Sequence, residues 1–172
     1  MPIFDATRGA CRVFTYKDGL LGAVAHDLEL EVGAFEIRLA DDGAVDATFE
    51  VRSIRVVDAI VDGRRAPGAL SARDKRKIES NLVSDVIRAK RHPRVAFRGR
   101  VDREGDGAVA RGELTIAGRS RRVELPIVRD GDRARLEHRI HQPDYGIRPF
   151  SAMLGTLKIK PDVRVTLDVP WV

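Results

Sequence analysis

The stretch FEIRL-ADDGA-VDATFEVR, running from Phe35 to Arg52, decides the fold. Phe35, Ile37 and Leu39 alternate with Glu36 and Arg38. Val45, Ala47, Phe49 and Val51 then alternate with Asp46, Thr48, Glu50 and Arg52. Successive side chains of a strand point to opposite faces, so each run presents one apolar and one polar face. Asp41-Asp42-Gly43 between them carries turn chemistry, and the whole reads as a hairpin. Strands with one greasy and one wet face belong to antiparallel sheets that cover a core on one side only.

The same alternation recurs in Val95–Val101, Val123–Ile127, Leu136–Ile140 and Val163–Val169. Asp106-Gly107, Ala117-Gly118 and Asp130-Gly131 punctuate these runs. The spacing predicts about eight or nine short strands in a barrel or sandwich, and closing the sheet would remove exposed edges. One segment has another period. Ile78, Leu82 and Val86, with Val83 and Ile87 beside them, fall three and four residues apart, which predicts a helix over about 71–89. Ser71 is its cap, Asp74 sets a carboxylate in the first turn, Lys90, Arg91 and His92 close it, and Pro93 forbids its extension. Asp58–Leu70, with Gly63, Pro67 and Gly68, reads as the longest irregular loop, either functional or mobile. With no repeat, low-complexity tract or linker, residues 1–172 read as a single domain.

Aromatic residues make up only 5% of the chain, so the core must be built from Val, Leu, Ile and Ala. The single cysteine, Cys11, excludes an internal disulfide and lies in a strand-like run as a small core residue. Met1–Ala10 lacks the basic start and apolar run of a secretory leader, and no stretch approaches the ~20 apolar residues of a membrane span. The expectation is a cytoplasmic protein as written, and a periplasmic one if a leader has been removed. The net charge of +5 is unevenly placed: Arg64–Arg103 holds 13 Lys or Arg against 4 Asp or Glu. A solvated basic helix is the plain reading, and peripheral contact with an anionic membrane is the functional one. Nucleic acid is not expected, because Phe97, the one aromatic in that stretch, alternates inward with Val95 and leaves no stacking platform.

No nucleophile elbow, Walker loop or dinucleotide fingerprint is present, and Gly112–Gly118 is a strand ending in a turn. His138 and His141 lie three apart on a strand and so on opposite faces, which argues against a metal site. No catalytic site, metal or cofactor is expected; an enzymatic reading would rest on His26 or Tyr145. His26 shares the parity of Leu28, Leu30 and Val32, so it points inward, as a core histidine or as a polar contact to a ligand head group.

Five motifs in order carry a resemblance. They are His26 followed by Gly33-Ala-Phe35; the helix followed by His92-Pro93-Arg94-Val95-Ala96-Phe97; the hairpin Gly112-Glu-Leu-Thr-Ile-Ala-Gly-Arg-Ser120 continuing to Pro126; Tyr145-Gly146; and the closing Asp162–Val169. Together they resemble the YceI-like family of lipocalin-like, polyisoprenoid-binding proteins, from about Cys11 to Val169. The resemblance implies an extended antiparallel β-barrel of about eight strands with one inserted helix, enclosing a long apolar channel. It implies a polyisoprenoid, quinone tail or similar long-chain lipid as ligand, and often a homodimer. In such a channel Phe35, Ile37, Phe49, Val51, Val95, Phe97, Leu114, Ile116, Leu125 and Ile127 are the candidates for lipid binding. A hollow barrel and a filled one have the same alternation, so these residues are read as lining or as core. The alternative function is a filled-barrel interaction module that meets a protein or anionic surface through its basic helix.

Overall fold

The computed structural model describes residues 1–18, 26–152 and 157–172. Its strands are β1 Ile3–Asp5, β2 Ala10–Thr15, β3 Lys17–Asp18, β4 Asp27–Val32, β5 Phe35–Leu39, β6 Ala44–Glu50, β7 Ile54–Val61, β8 Arg64–Ala66, β9 Arg94–Glu104, β10 Gly107–Ile116, β11 Arg119–Asp130, β12 Arg133–His141, β13 Ser151–Ala152, β14 Leu157–Ile159 and β15 Asp162–Pro170. One helix, α1, spans Ala72–Asn81. All pairings are antiparallel, as expected of strands with one apolar face.

The deciding hairpin forms as its alternation predicts, with Phe35 opposite Phe49 and Leu39 opposite Val45. It is longer than the sequence reading: β4 runs into β5 through Gly33-Ala34, and β6 into β7 through a 3-10 turn, Val51–Ser53. Val51 and Arg52, expected in the strand, belong to this turn. At the corner Gly33 N donates to Ser53 O (3.1 Å), Glu50 N donates to Ala34 O (2.9 Å) and Ala34 N donates to Ser53 Oγ (2.9 Å). A Cβ on Gly33 would stand 3.1 Å from Ser53 O, so the corner is tight at that residue.

Taking β4–β5 and β6–β7 as one bent strand each, the pairings run round in a ring of eight. β6 pairs β9, β9 pairs β10, β10 pairs β11, β11 pairs β12, β12 pairs β15, β15 pairs β2, and β2 returns to β4. The expected barrel is therefore a curled sheet, with more strands than expected because its longest ones are broken by bends. It is partly open. β11 and β12 pair only over Val128–Asp130 and Arg133–Arg135 and then part, and the turn Gln142–Tyr145 packs into that seam. Tight curling needs small residues. Gly99 and Gly112 face each other on β9 and β10, and a Cβ on Gly112 would lie 2.1 Å from Arg98 O. No side chain fits there without moving backbone.

Several boundaries differ from expectation. The helix forms with a reciprocal capping box between Ser71 and Asp74, but the α-helix ends at Asn81 and a π-turn carries the chain through Leu82–Val86. Arg88 then takes a positive φ (56°) and Ala89 N donates to Val83 O, a left-handed stop well before Pro93. The expected loop Asp58–Leu70 is largely a second hairpin, β7–β8. Its two turn residues, Asp62 and Gly63, both have positive φ (51° and 74°), the geometry favoured in two-residue hairpin loops. The turns expected at Asp106-Gly107 and Asp130-Gly131 sit one residue away, on Gly105–Asp106 and Gly131–Asp132.

Replacing Gly112 by Val should lower stability by about 1–3 kcal/mol through overpacking against Arg98 O and Gly99. Urea unfolding followed by circular dichroism would read it, and an unchanged midpoint would show that β9 and β10 have room to separate.

Candidate functional site: an apolar cavity inside the curled sheet

The inward faces of the strands enclose a cavity of about 850 Å³. One wall comes from β5, β6, β9, β10 and β11. It carries Ile37, Phe49, Val95, Phe97, Leu114, Ile116, Leu125 and Ile127, with Val51 at the corner. The other comes from β2, β4, β7, β12 and β15, whose registers place inward side chains in cross-strand rows. His138, Val165, Val13, Leu30 and Val56 form one such row. Thr15 lies opposite Leu28 one row nearer the helix end.

Nine of the ten residues read from the sequence as lipid-facing line this cavity. Phe35 does not: it is buried and stacks on Phe49, with ring centroids 5.7 Å apart and planes at 27°. The opposite wall was missed, including Leu136, Ile140, Val163 and Leu167, although its alternation was read as strand. So were the helix residues Ile78, Leu82, Val86 and Ile87, which line the cavity and are all only half-buried. Their period marks a face that packs inward, and nothing in it distinguishes packing on side chains from packing over a void.

Polar side chains are a minority of the lining; Glu50, Asp74, Lys77, Asn81 and Arg103 reach it from the helix side and the far end, and four others gather near the start of β4. His26 lines the cavity near the entry to β4, and Gln142 lines it across the same end. Gln142 Nε2 donates to Lys160 O (3.2 Å). Thr15 is buried, and its hydroxyl finds no hydrogen-bond partner among the described residues. His138 lines the cavity while His141 faces outward and bonds Asp162 (Nδ1···Oδ1 2.5 Å), the opposed orientations that strand geometry dictates. Burial holds His138 below the ordinary histidine pKa, so its neutral form prevails at pH 7. Tyr145 is buried at the seam beside Asp144, which Arg121 approaches to 4.0 Å. At the other end Trp171 lines the cavity with the guanidinium groups of Arg103 and Arg129 4.4 and 5.4 Å from its ring centroid.

This arrangement accommodates hydrocarbon and offers a few hydrogen-bonding groups, with His26, Thr15, Gln142 and His138 grouped toward the end where β4 begins. A family model, the YceI-like domain, matches residues 12–171. The chain belongs to the YceI-like family. Solved structures share the fold of this YceI-like chain at low identity. BcnA from Burkholderia cenocepacia is 14% identical, with a TM-score of 0.67 over 98% of this chain and 99% of that one. A polyisoprenoid binding domain from Saccharophagus degradans, implicated in plant cell wall breakdown, is 11% identical, with a TM-score of 0.63 over 97% and 94%. A YCEI protein from Campylobacter jejuni is 16% identical, with a TM-score of 0.52 over 78% and 77%. No curated protein matches the chain.

Cys11 lines the cavity in a buried position, where desolvation, with Glu31 adding to it, pushes its thiol up to about 12. The folded chain then holds this proton more tightly than the unfolded chain. Its contribution to stability is intact below pH 9 and declines as pH rises from about 9 toward 12. Relative to Cys11→Ala, the wild type should lose stability in that window by up to ~1.4 kcal/mol per pH unit. Parallel stability-versus-pH curves for the two proteins would contradict this placement of the thiol.

Proposed function

We propose that this protein binds one long apolar lipid, a polyisoprenoid, quinone tail or fatty-acid-like chain, inside the barrel and carries out no chemistry on it. The observation that carries the reading is a cavity of about 850 Å³ whose walls are predominantly hydrocarbon. That volume lies toward the upper end of the ~300–1,000 Å³ common for ligand pockets. Each methylene moved from water to this lining contributes roughly 0.8 kcal/mol, so a long chain gains affinity without polar contacts. Selectivity then comes from the length and bore of the cavity and from the few polar groups. His26, with Gln142 and Thr15 at the same end, is the place for a head group. His138 lies one row deeper. The polyisoprenoid-binding description of the Saccharophagus neighbour agrees with this ligand class. A filled-barrel interaction module, the other expectation, lacks support from an interior this open.

Native mass spectrometry of the purified protein, followed by extraction and lipid identification, tests the proposal. The expected result is one long-chain species per protein, lost on denaturation, or taken up on incubation with long prenols, quinones or fatty acids. Ala110 is buried on the inner face of β10. Replacing it with Phe should fill the bore and reduce uptake at least ~10-fold while the fold is retained, since the added ring enters a void. A wild-type protein that stays bare with all three lipid classes would refute the reading.

A further inference from the structure

Many arginines of the barrel wall are neutralised in place, whereas Arg55, Arg64, Arg103, Arg119, Arg122 and Arg129 make no ion pair among the described residues. Arg94 meets Glu50 (2.6 Å), Arg98 meets Asp46 (2.9 Å), and Arg111 meets both Glu104 (2.7 Å) and Glu124 (2.9 Å). On the other half Arg133 and Arg135 share Asp168 (2.5 and 2.8 Å), and Arg164 meets Glu137 (3.1 Å). The helix and the segment after it differ. Arg73, Arg76 and Lys77 on α1, and Arg88, Lys90 and Arg91 beyond it, are all exposed, and none makes an ion pair among the described residues.

These six do not stand alone. The helix crosses from the end of β7–β8 to the start of β9, so it lies at the end of the barrel where β4 begins and β15 begins. The small sheet β13-β14-β3 extends that same end, and it brings Lys17, Lys158 and Lys160, with Arg148 just before it. These four side chains are also exposed and unpaired among the described residues. The exposed carboxylates on the same two elements are Asp18, Asp74 and Asp85, and Asp74 is occupied by the Ser71 cap. Both groups reach the cavity: Lys77 and Asn81 line it from the helix side, and Phe150, Ala152 and Ile159 line it from the small-sheet side.

From this we infer that the helix end of the barrel is a docking surface for an anionic lipid bilayer, with basic residues on both elements that line the cavity at that end. Resting on the lipid-binding reading, this names the bilayer as the partner from which the same cavity takes its ligand. Each uncompensated cation next to anionic head groups adds its own attraction to the bilayer, whereas neutralised ones contribute little. Nucleic acid is the poorer partner, because Phe150 is half-buried against the cavity and no aromatic among the described residues of this end is exposed for bases to stack on.

Co-sedimentation with vesicles tests the surface, and uptake of a long prenol from ethanol solution tests the cavity separately. Vesicles of phosphatidylglycerol and phosphatidylethanolamine should bind the protein, phosphatidylcholine vesicles should not, and raising salt from about 0.1 to about 0.5 M should release it. The quadruple variant Arg73→Glu, Arg76→Glu, Arg88→Glu, Lys90→Glu should lose at least ~100-fold in vesicle affinity while prenol uptake and the circular dichroism spectrum stay as in wild type. Arg129→Glu, at the opposite end, should bind vesicles as wild type does. Three results would overturn the inference: equal binding to neutral and anionic vesicles, an unaffected quadruple variant, or single-stranded DNA bound more tightly than anionic vesicles. Were the quadruple variant to unfold, the wild-type salt and head-group dependence would still decide the question. Loss of prenol uptake in the wild type, with vesicle binding intact, would count against the cavity and not against the surface.

Discussion

The hydroxyl of Ser53 sits where the barrel turns its corner, and the closure of the ring passes through it. Its Oγ accepts from Ala34 N and donates to Glu50 O (2.7 Å), while the Ser53 carbonyl accepts from Gly33 N. Both strands of the long hairpin bend here together, so one half of each pairs on the β9 side and the other half on the β2 side. Val51, almost fully buried at 1% exposure, fills the inside of the bend, and its N–H donates to Pro93 O, which also fixes where the chain returns from the helix. A straight hairpin would leave β2 and β9 on opposite edges of an open sheet. The bend makes them parts of one wall around a common interior.

A second constraint divides the chain by face. The inner face holds hydrocarbon with a few isolated polar groups, and the outer face holds a lattice of Arg and carboxylates. Exposed pairs of this kind contribute only ~0–1 kcal/mol each to stability, so the lattice is better understood as keeping the outside of a thin-walled barrel wet and its edges unattractive to other sheets. Glu29 is the exception on that face. It is buried at 5% exposure beneath the β7–β8 hairpin, where Arg65 grips it through both oxygens (2.5 and 3.0 Å) and Arg12 stands 3.7 Å away. Breaking such a pair from one side is costlier than losing a surface bridge, because a buried charge would be left alone. It fastens β8 over the bulge between Glu29 and Leu30.

The strands and their facing were legible because period-2 alternation survives wherever one face is buried, and the cap of α1 was legible because Ser71 and Asp74 have a local chemistry independent of the fold. The corner was present in the sequence but unread. Apolar parity is even at Leu28, Leu30 and Val32, odd at Phe35, Ile37 and Leu39, odd again from Val45 to Val51, and even at Ile54 and Val56. Each change of parity falls on a bend, Gly33-Ala34 or Val51–Ser53, since a strand that keeps its apolar side inward through a corner must skip a beat. Asp62-Gly63 was likewise a readable hairpin signal, masked by the Gly and Pro that follow it. The motifs behind the family resemblance also acquire physical meaning. Gly112 permits the approach of β9. Gly118, with φ of 78°, turns the hairpin under the His92 ring, and a Cβ there would lie 2.7 Å from His92 Cε1. Gly146, with φ of 68°, lets Arg119 lie across the seam, where a Cβ would come within 2.8 Å of its guanidinium.

Whether the barrel is hollow or filled is set by side-chain volume, not by alternation. A ring of eight strands is just wide enough for its inward side chains to fill it, or to hold a ligand if those side chains are small. Here the inward positions include Ala47, Ala59, Ala108, Ala110 and Ala134 together with Gly99 and Gly112, and aromatics are scarce at 5% of the chain. Valine and alanine opposite valine and alanine cannot meet across such a ring, and the half-buried apolar face of the helix covers part of the space they leave. The low aromatic content, which at first bears only on what the core is made of, is thus also the compositional counterpart of the cavity. The same pattern with Phe and Leu at the alanine positions would fold to the same ring around a solid core.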